Sequence, residues 1–373
     1  MKFFGGKKSN SFLGVDIGAS SIKVVELGIE KGRPKLLTYG YSEYRGSEQH
    51  LSPFEDVKGT GTLLAEICKK AGSKSVVAMA ALPTSGVFST IISIPAVKDQ
   101  KEQQRLVDAE VSKLTPLPIE QMITYSTFFD GEKGNEKKDQ KKEKQPSVEK
   151  TQQKEEKNVR VLVTGAAKTL VQKYVEIFKV AKLSLQAIDT EAFALTRALI
   201  GKDKSATLII DLGSQRTNLT IVEKGIPFIS RSMNIGGDTI TRRLQEQMQF
   251  SFTEAERMKR DLGVTSQTQA REETLPPLLE TFIQSLLNEI RYAFQLYANM
   301  EMAQQKNVEK VILTGGSAHL PGIPHYLSKS LNLNVYRGDP WARISYPEEL
   351  RPVLDEVGPR MSVAIGLAMR EME

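Results

Sequence analysis

The chain has 373 residues, a length that predicts two domains, each large enough for its own hydrophobic core. Its 40% hydrophobic and 26% charged residues are ordinary for a globular protein, and its formal net charge of +6 is mild. A single cysteine excludes an intramolecular disulfide, no apolar run reaches the roughly 18 residues of a membrane span, and no arginine-rich helix interleaved with aromatics supports nucleic-acid binding. We therefore expect a cytoplasmic protein that has no transmembrane segment and binds no nucleic acid.

The first half of the chain alternates between strand and helix patterns, which predicts α/β layers. Strands are predicted at 12–16, 22–27, 35–44, 75–82 and 185–189. Helices are predicted at 61–71, 168–181 and 191–201. A smaller unit interrupts this order, with strands at 87–94, 123–129 and 159–164 and a charged helix at 98–114.

Residues 131–157 differ in composition from the rest, because they are almost free of apolar side chains and dense in Lys, Glu, Asp and Gln. Such a stretch cannot bury enough apolar surface to offset its ordering entropy, so we predict a disordered loop between two strands. Acidic residues nearly balance the lysines, which does not favour a basic interaction tail.

The second half begins after a polar stretch at 201–205, a candidate hinge, and repeats the strand pattern before turning helical. Three strands are predicted between 208 and 234, and two more at 310–314 and 334–336. Helices are predicted from 236–238 onward and at 252–262, 278–302 and 353–369.

Each half contains an apolar strand, the pattern Asp-x-Gly, a short polar turn and a second strand. The two copies contribute Asp16, Gly18, Ser20, Ser21 and Lys23, and Asp211, Gly213, Thr217 and Asn218. A carboxylate at a strand end can hold hydrated Mg²⁺, and glycine lets backbone N–H groups face an anion. One copy alone is weak evidence because turns commonly contain Asp and Gly. Two matched copies predict a phosphate clamp, with Asp16 and Asp211 as metal ligands.

Three further motifs fit a nucleotide, and each also has an ordinary explanation. Gly236-Gly237-Asp238 opens a helix, either as a plain start with Asp238 as N-cap or as an N-terminus whose exposed N–H groups face a phosphate. Gly315-Gly316-Ser317 is either a strand-to-helix turn or a loop that a base or ribose approaches closely. Glu256 and Lys259 share a helix face and form either a solvated ion pair or a ribose contact. The competing patterns Gly-x-x-x-x-Gly-Lys-Ser/Thr and, after a strand, Gly-x-Gly-x-x-Gly do not occur.

In this order the motifs resemble those of the actin-like ATPase superfamily, which includes actin, FtsA, sugar kinases and heat-shock chaperones. The two Asp-x-Gly patterns resemble its phosphate loops, and the three further motifs resemble its adenosine contacts. The resemblance implies an α/β, ribonuclease H-like two-domain fold that binds ATP and Mg²⁺ in a cleft. It implies a first domain at 11–200 and 353–371, with a small αβ subdomain at 86–164, and a second domain at 205–352.

Three stretches resemble one branch of this superfamily, the PilM family of type IV pilus assembly proteins. They are Gly14–Glu26, Ala187–Leu195 and Asn234–Thr241. The resemblance implies a cytoplasmic scaffold held at the inner face of the membrane by its partner. It implies docking of the N-terminal peptide of a PilN-like inner-membrane protein between the nucleotide core and the small subdomain. It also implies contacts with other pilus-machine components and leaves self-association open.

The resemblance also bears on hydrolysis, because superfamily enzymes position the attacking water with an acid or Gln near the first interdomain helix. The candidates are Asp189 and Glu191, and the sequence does not choose between them. Gln215, Arg216 and Asn218 stand where stronger hydrolases often have Gly, Thr and an acid. We therefore expect firmer ATP binding than ATP hydrolysis.

Two other functions fit the same fold. A small-molecule kinase of the sugar-kinase type needs a substrate pocket and a base facing the γ-phosphate, and no clear aspartate serves that role. A filament-forming relative of FtsA is expected to carry a basic amphipathic C-terminal helix, whereas Met369–Glu373 is acidic.

Overall fold

The computed structural model describes residues 11–43, 52–97, 99–129, 158–265 and 275–372, so the predicted disorder at 131–157 lies outside the described residues. The chain divides into a main unit, Met1–Val87 with Lys168–Glu373, and an inserted unit, Phe88–Ala167. Both units mix helices with strands, which confirms the predicted α/β class.

The strands are β1 (Ser11–Ile17), β2 (Ser21–Glu30), β3 (Arg33–Glu43), β4 (Val77–Leu82), β5 (Val87–Pro95), β6 (Met122–Phe129), β7 (Asn158–Ala167), β8 (Ser184–Thr190), β9 (Thr207–Leu212), β10 (Thr217–Glu223), β11 (Ile226–Met233), β12 (Lys310–Thr314) and β13 (Asn334–Arg337). The helices are α1 (Val57–Ala71), α2 (Gln100–Ser112), α3 (Lys168–Val180), α4 (Glu191–Leu199), α5 (Gly237–Met248), α6 (Phe252–Thr265), α7 (Glu280–Asn299), α8 (Ile323–Leu331) and α9 (Arg351–Ala368). Short 3₁₀ turns include Thr84–Gly86 and Gly316–His319.

The main unit contains two five-stranded sheets of the same design. Their strand orders are β3-β2-β1-β4-β8 and β11-β10-β9-β12-β13. In each sheet an antiparallel hairpin, β1–β2 or β9–β10, lies beside a parallel strand, β4 or β12. The first strand of each hairpin is almost entirely buried and apolar, which fits a sheet covered on both faces. The Asp-x-Gly pattern that occurs twice in the sequence therefore corresponds to two hairpins of the same topology.

Helix α9 closes the first sheet from one side. A Cβ added at Gly14 of β1 would lie 1.9 Å from the carbonyl oxygen of Ala364, and one at Gly366 would lie 1.9 Å from that of Ala194 in α4. Only glycine allows backbones to approach this closely. The small residues of the last helix thus pack β1, α9 and α4 backbone against backbone.

The inserted unit has a three-stranded sheet in the order β5-β7-β6. Helix α2 covers one face of this sheet, and its N-cap Asp99 accepts a hydrogen bond from the backbone N–H of Lys101. The shared core consists of Ile92, Ile94, Val107, Val111, Val161 and Val163.

The bounds of several elements differ from the predictions by a few residues, as helices α1 and α7 illustrate, and a third helix was not predicted. Helix α1 begins at Val57, four residues before the predicted 61, because Asp56 caps it by accepting from the N–H of Gly59. Helix α7 is shorter than the predicted 278–302. Helix α8 was not predicted, because its N-cap is Gly322 at φ 74° rather than a Ser, Thr or Asp that marks a helix start.

Across the described ranges, we find no helix that combines the length and the apolar character needed to cross a membrane.

Candidate functional site

The tip of the first hairpin holds a buried ion pair. Asp16 lies opposite Lys23 in the β1–β2 register, and Lys23 Nζ lies 2.8 Å from Asp16 Oδ2. Their side chains are only 9% and 15% exposed. The N–H of Gly18 donates to the carbonyl of Ser21 at 3.0 Å, which closes the turn. The first acid is therefore matched by a cation of its own, with the partly exposed Ser20 beside it.

In the second hairpin the residue opposite the acid is an amide and not a cation. Asp211 lies opposite Asn218 in the β9–β10 register, and the N–H of Gly213 donates to the carbonyl of Arg216 at 3.0 Å. Burial and the charge of Asp16 raise the pKa of Asp211 to about 6, although Lys23 and a hydrogen bond from Asn218 act in the opposite direction. The second acid thus retains a proton into the mildly acidic range.

Glu191, the first residue of α4, connects the two sheets. Its Oε2 accepts from the N–H of Thr84 at 2.7 Å, from the Thr84 hydroxyl at 2.9 Å and from Asn218 Nδ2 at 3.1 Å. Burial, followed by the charges of Asp211 and Asp16, raises its pKa to about 7 despite the donors from Thr84. Glu191 therefore forms an acid cluster with Asp16 and Asp211.

Two buried oxygens beside this cluster lack hydrogen-bond partners. They are Asn218 Oδ1 and Ser232 Oγ. Asn218 as a whole is 9% exposed. Ser232 lies directly opposite Asn218 in the β10–β11 register, so both side chains stand in one row with Asp211. Buried polar atoms are normally satisfied, so this row suits a ligand or water that supplies donors.

Asp189 lies apart from the acid cluster. Its Oδ2 is 2.9 Å from Arg197 and 3.5 Å from Arg370, and its Oδ1 accepts from the N–H of Thr190. These contacts fix the chain end against α4. Of the two predicted water-positioning candidates, the structure brings only Glu191 to the two Asp-x-Gly acids.

The start of α5 is docked onto the second hairpin. Its N-cap is Gly236 and not Asp238, which lies inside the first turn. The N–H groups of Gly237 and Asp238 donate to the carbonyls of Gly213 and Ser214 at 2.9 and 2.8 Å. The prediction that these N–H groups are exposed to a phosphate is therefore wrong. Gly236 is required because a Cβ there would lie 2.3 Å from the carbonyl oxygen of Ser214.

The predicted Glu256–Lys259 pair is not a solvated one. Lys259 is 7% exposed, and its Nζ donates to Gly237 O, Thr241 Oγ1 and Glu256 Oε2 at 3.1, 2.8 and 2.6 Å. Burial alone would raise the pKa of Glu256, but the charge and hydrogen bonds of Lys259, with a hydrogen bond from Thr241, lower it overall. The pair therefore braces α6 against the start of α5, beside the second hairpin.

The loop after β12 also touches the second hairpin. Gly315 has φ 88°, and a Cβ there would lie 2.4 Å from Asp211 Oδ1. A Cβ at Gly316 would meet no atom within 4 Å, so this residue borders open space. Ser317 Oγ lies 2.5 Å from the position of a Cβ on Gly237. The three residues therefore join Asp211 and the start of α5 in one site.

Thr217 faces away from that site. Its hydroxyl donates to the carbonyl of Ile235 at 2.7 Å, and the residue is fully buried. Sequence reasoning missed Thr84, which sits in a plain turn 107 positions before its partner Glu191. No local pattern marks such a pairing.

Comparison of the sequence with known proteins gives a family match and, among individual relatives, a cell division protein. The sequence profile of the family described as type IV pilus assembly protein PilM matches residues 146–372, more than half of the chain. The cell division protein FtsA of Bacillus subtilis (strain 168) is 24% identical over 198 residues, which cover 48% of this chain and 44% of FtsA. The chain therefore matches less than half the length of that curated relative.

Two solved structures show the fold. The PilM–PilN type IV pilus biogenesis complex superposes with a TM-score of 0.77 at 21% identity, covering 97% of this chain and 98% of that one. MreB5 of Spiroplasma citri bound to ADP superposes with a TM-score of 0.51 at 11% identity, covering 96% and 95%. The predicted actin-like fold is confirmed.

Proposed function

The chain belongs to the PilM family of type IV pilus assembly proteins, and from this premise we propose that it is an ATP-binding scaffold of the pilus machinery. It docks the N-terminal peptide of a PilN-like inner-membrane protein, and its docking surface changes with the bound nucleotide, as in hinge-type switches. Through that partner, and with other pilus-machine components, it works at the cytoplasmic face of the membrane.

The observation that carries the nucleotide part is the acid cluster of Asp16, Asp211 and Glu191. Burial and mutual repulsion raise the pKa of Glu191 and Asp211, so the cluster is under electrostatic stress that a bound cation would relieve. Such stressed acids cluster at functional sites.

Magnesium fits the residues of this cluster. Within the described ranges no group of three or more His, Cys, Asp or Glu is arranged as a metal site, which argues against a fully protein-liganded ion. Mg²⁺ instead keeps several waters and takes one or two carboxylates besides phosphate oxygens. Asp16 and Asp211 would supply those carboxylates, and Asn218 Oδ1, which has no partner, would accept from a metal-bound water. The ion would neutralise phosphate charge.

The nucleotide would extend from the hairpin tips toward the loop after β12. Gly18 and Gly213 give the tight turns at the phosphates, with Ser20, Ser21 and Lys23 as donors on the first side. Gly316 borders open space, and Gly236, Gly237, Glu256, Lys259, Gly315 and Ser317 form the wall behind it. Lys259 has used its three donors within the protein, so we assign it to shaping the pocket rather than to a free charge.

We expect slow hydrolysis at most. The Glu191 carboxylate is the candidate base, but three donors already engage its Oε2. Burial raises the pKa of Glu191 to about 7, but these donors occupy the oxygen that would otherwise accept a proton from the attacking water. Asp189 is paired with Arg197 and is not available for this role.

A peptide capture assay tests the function as a whole. The full chain is incubated with an immobilised peptide from the cytoplasmic N-terminus of a PilN-like protein, with and without Mg-ATP. We expect capture that changes about fivefold or more with Mg-ATP, the range of ordinary allosteric coupling. The Asp211→Asn variant is the control and should be captured equally in both conditions. Absence of capture would contradict docking, and capture unaffected by Mg-ATP would contradict the switch.

A further inference from the structure

The turn Thr84–Gly86 stands at a special place in the chain. It follows β4 of the main unit, and the chain passes from it directly into β5 and the inserted unit. The same turn contacts an acid of the candidate site, because Thr84 donates two hydrogen bonds to Glu191.

The grip of Thr84 on Glu191 uses both the main chain and the side chain. The N–H and the hydroxyl of Thr84 reach the same oxygen, Oε2, at 2.7 and 2.9 Å. Hydrogen bonds to an ionised acceptor are short and about twice as strong as neutral ones. Because one of the two donors is a backbone N–H, a displacement of Glu191 must either move the peptide at Thr84 or break the bond.

Glu191 also contacts the second sheet through a hydrogen bond from Asn218 of β10. Asn218 Nδ2 donates to the same Oε2 at 3.1 Å, while Asn218 Oδ1 is buried without a partner. The charges of Asp211 and Asp16 act on the Glu191 carboxylate, and Lys23 is the cation that pairs with Asp16. Any cation or donor that enters this cluster changes the forces on the Glu191 carboxylate.

We propose that Thr84 is a positioning residue that holds the Glu191 carboxylate at the nucleotide site, so that Mg-nucleotide binding alters the backbone of the turn leading into the inserted unit. The inference rests on the proposed nucleotide function and adds the residue through which occupancy of the site is passed on. A two-state change of this kind requires that the nucleotide interact differently with the two arrangements, and the shared Oε2 supplies that difference.

Amide hydrogen exchange measures the inference directly, because the Thr84 N–H is one of the two donors. In the full wild-type chain we expect Mg-ATP to change the exchange rates of residues 84–87 by roughly threefold or more, the scale of a modest change in local opening free energy. The measurement needs no variant. If Mg-ATP binds and these amides do not respond, the inference is overturned while the nucleotide function stands. If Mg-ATP does not bind, both are overturned.

Matched substitutions separate positioning from packing. Thr84→Val keeps the shape and loses the hydroxyl donor, whereas Thr84→Ser keeps the donor. We expect Thr84→Val to weaken Mg-ATP binding by roughly 3- to 10-fold, as for loss of one charge-assisted hydrogen bond, and to reduce the exchange response of residues 84–87 by more than half. Thr84→Ser should restore both. Wild-type affinity and response in Thr84→Val, or failure of Thr84→Ser to restore them, would overturn the inference.

Discussion

The two hairpin tips share one backbone design and differ in how they treat their acid. In the first, Lys23 Nζ lies 2.8 Å from Asp16 Oδ2 and forms an ion pair with it. In the second, the residue opposite Asp211 is Asn218, which offers an amide and no charge. The pKa of Asp211 rises to about 6 as a result of burial and of the Asp16 charge.

This difference gives the two tips unlike electrostatic environments. The acid of the first tip has a cation directly opposite it in the hairpin. In the second tip the pKa of Asp211 is raised, and so is that of Glu191 beside it, because Lys23 and the hydrogen-bond donors offset burial and the neighbouring charges only in part. Functional sites commonly keep such incompletely compensated groups at the expense of stability.

The largest expected effect comes from removing each acid in turn. Asp16→Asn strands the Lys23 ammonium, so the free energy of unfolding should fall by about 2–3 kcal/mol. Asp211→Asn removes an acid whose ionised form is disfavoured, so stability at pH 8 should rise, by about 3 kcal/mol at most. Both should weaken Mg-ATP binding by about 100-fold or more. Urea unfolding measures the stabilities, and titration calorimetry measures Mg-ATP binding. Stability changes of the same sign in the two variants would contradict the proposed difference between the tips.

The next largest effect is on the pH dependence of stability, which reports on the acids at and beside the second tip. The pKa values of Glu191 and Asp211, about 7 and about 6, lie above those of unfolded carboxyls. The folded chain therefore holds more protons between about pH 4 and 7, and these groups make the free energy of unfolding decrease as the pH rises. Glu191→Gln should reduce the fall in the free energy of unfolding between about pH 4 and 7 by up to about 3 kcal/mol.

Asp203 provides the control for that titration. Hydrogen bonds from Lys310 and Ser205 lower its pKa to about 2, so its contribution is lost only as the pH falls below about 4. Asp203→Asn should leave the slope between pH 4.5 and 7 unchanged. An equal flattening in both variants would show that the slope does not arise at the acid cluster.

The glycines of the two tips should also respond differently. A Cβ at Gly213 would lie 2.8 Å from the backbone oxygen of Arg216, whereas one at Gly18 would lie 3.1 Å from the Lys23 ammonium and 3.3 Å from the backbone oxygen of Ser21. The ammonium is a side-chain end that can move, and the backbone contact at Gly18 is longer than the one at Gly213. We expect Gly213→Ala to lower the free energy of unfolding by about 1–3 kcal/mol and Gly18→Ala by less than about 1 kcal/mol. Thermal unfolding of the two variants measures this, and equal losses would contradict it.

The smallest effect concerns the hydroxyls. Ser20 is partly exposed in the first tip, whereas the Thr217 hydroxyl donates to Ile235 inside the second. Ser20→Ala should weaken Mg-ATP binding about threefold with unchanged stability, and Thr217→Val should lose about 1 kcal/mol of stability with nearly unchanged affinity. Fluorescence titration beside thermal unfolding distinguishes the two. A reversed pattern would mean that Thr217 faces the ligand.

The hairpins and their acids could be predicted because the signals are local. Alternating apolar strands, turn glycines and acids at strand ends lie within a few residues of one another, as do Glu256 and Lys259. The resemblance of the ordered motifs to the actin-like ATPase superfamily then implied the fold.

The remaining features depend on pairings that no window of sequence contains. Arg370 meets Asp189 from the far end of the chain, and Thr84 meets Glu191 across 107 positions. The burial of the start of α5 could not be foreseen either, since a glycine pair reads equally well as an open anion site. Local sequence signals predict secondary structure and turns. Tertiary packing determines which distant donor forms a hydrogen bond with a given acid.

Helix α9 has a consequence for how the protein is made. This helix, which packs through Gly366 and Ala364 against β1 and α4, lies some 350 positions after Gly14 in the chain (14 to 364). While the ribosome is still translating, the first sheet has emerged but its covering helix does not yet exist, and its apolar face stays open. The first hairpin can thus reach its final packing only after the second one has been synthesised. We expect nascent chains of this protein to engage chaperones through β1 and β2 until translation reaches α9.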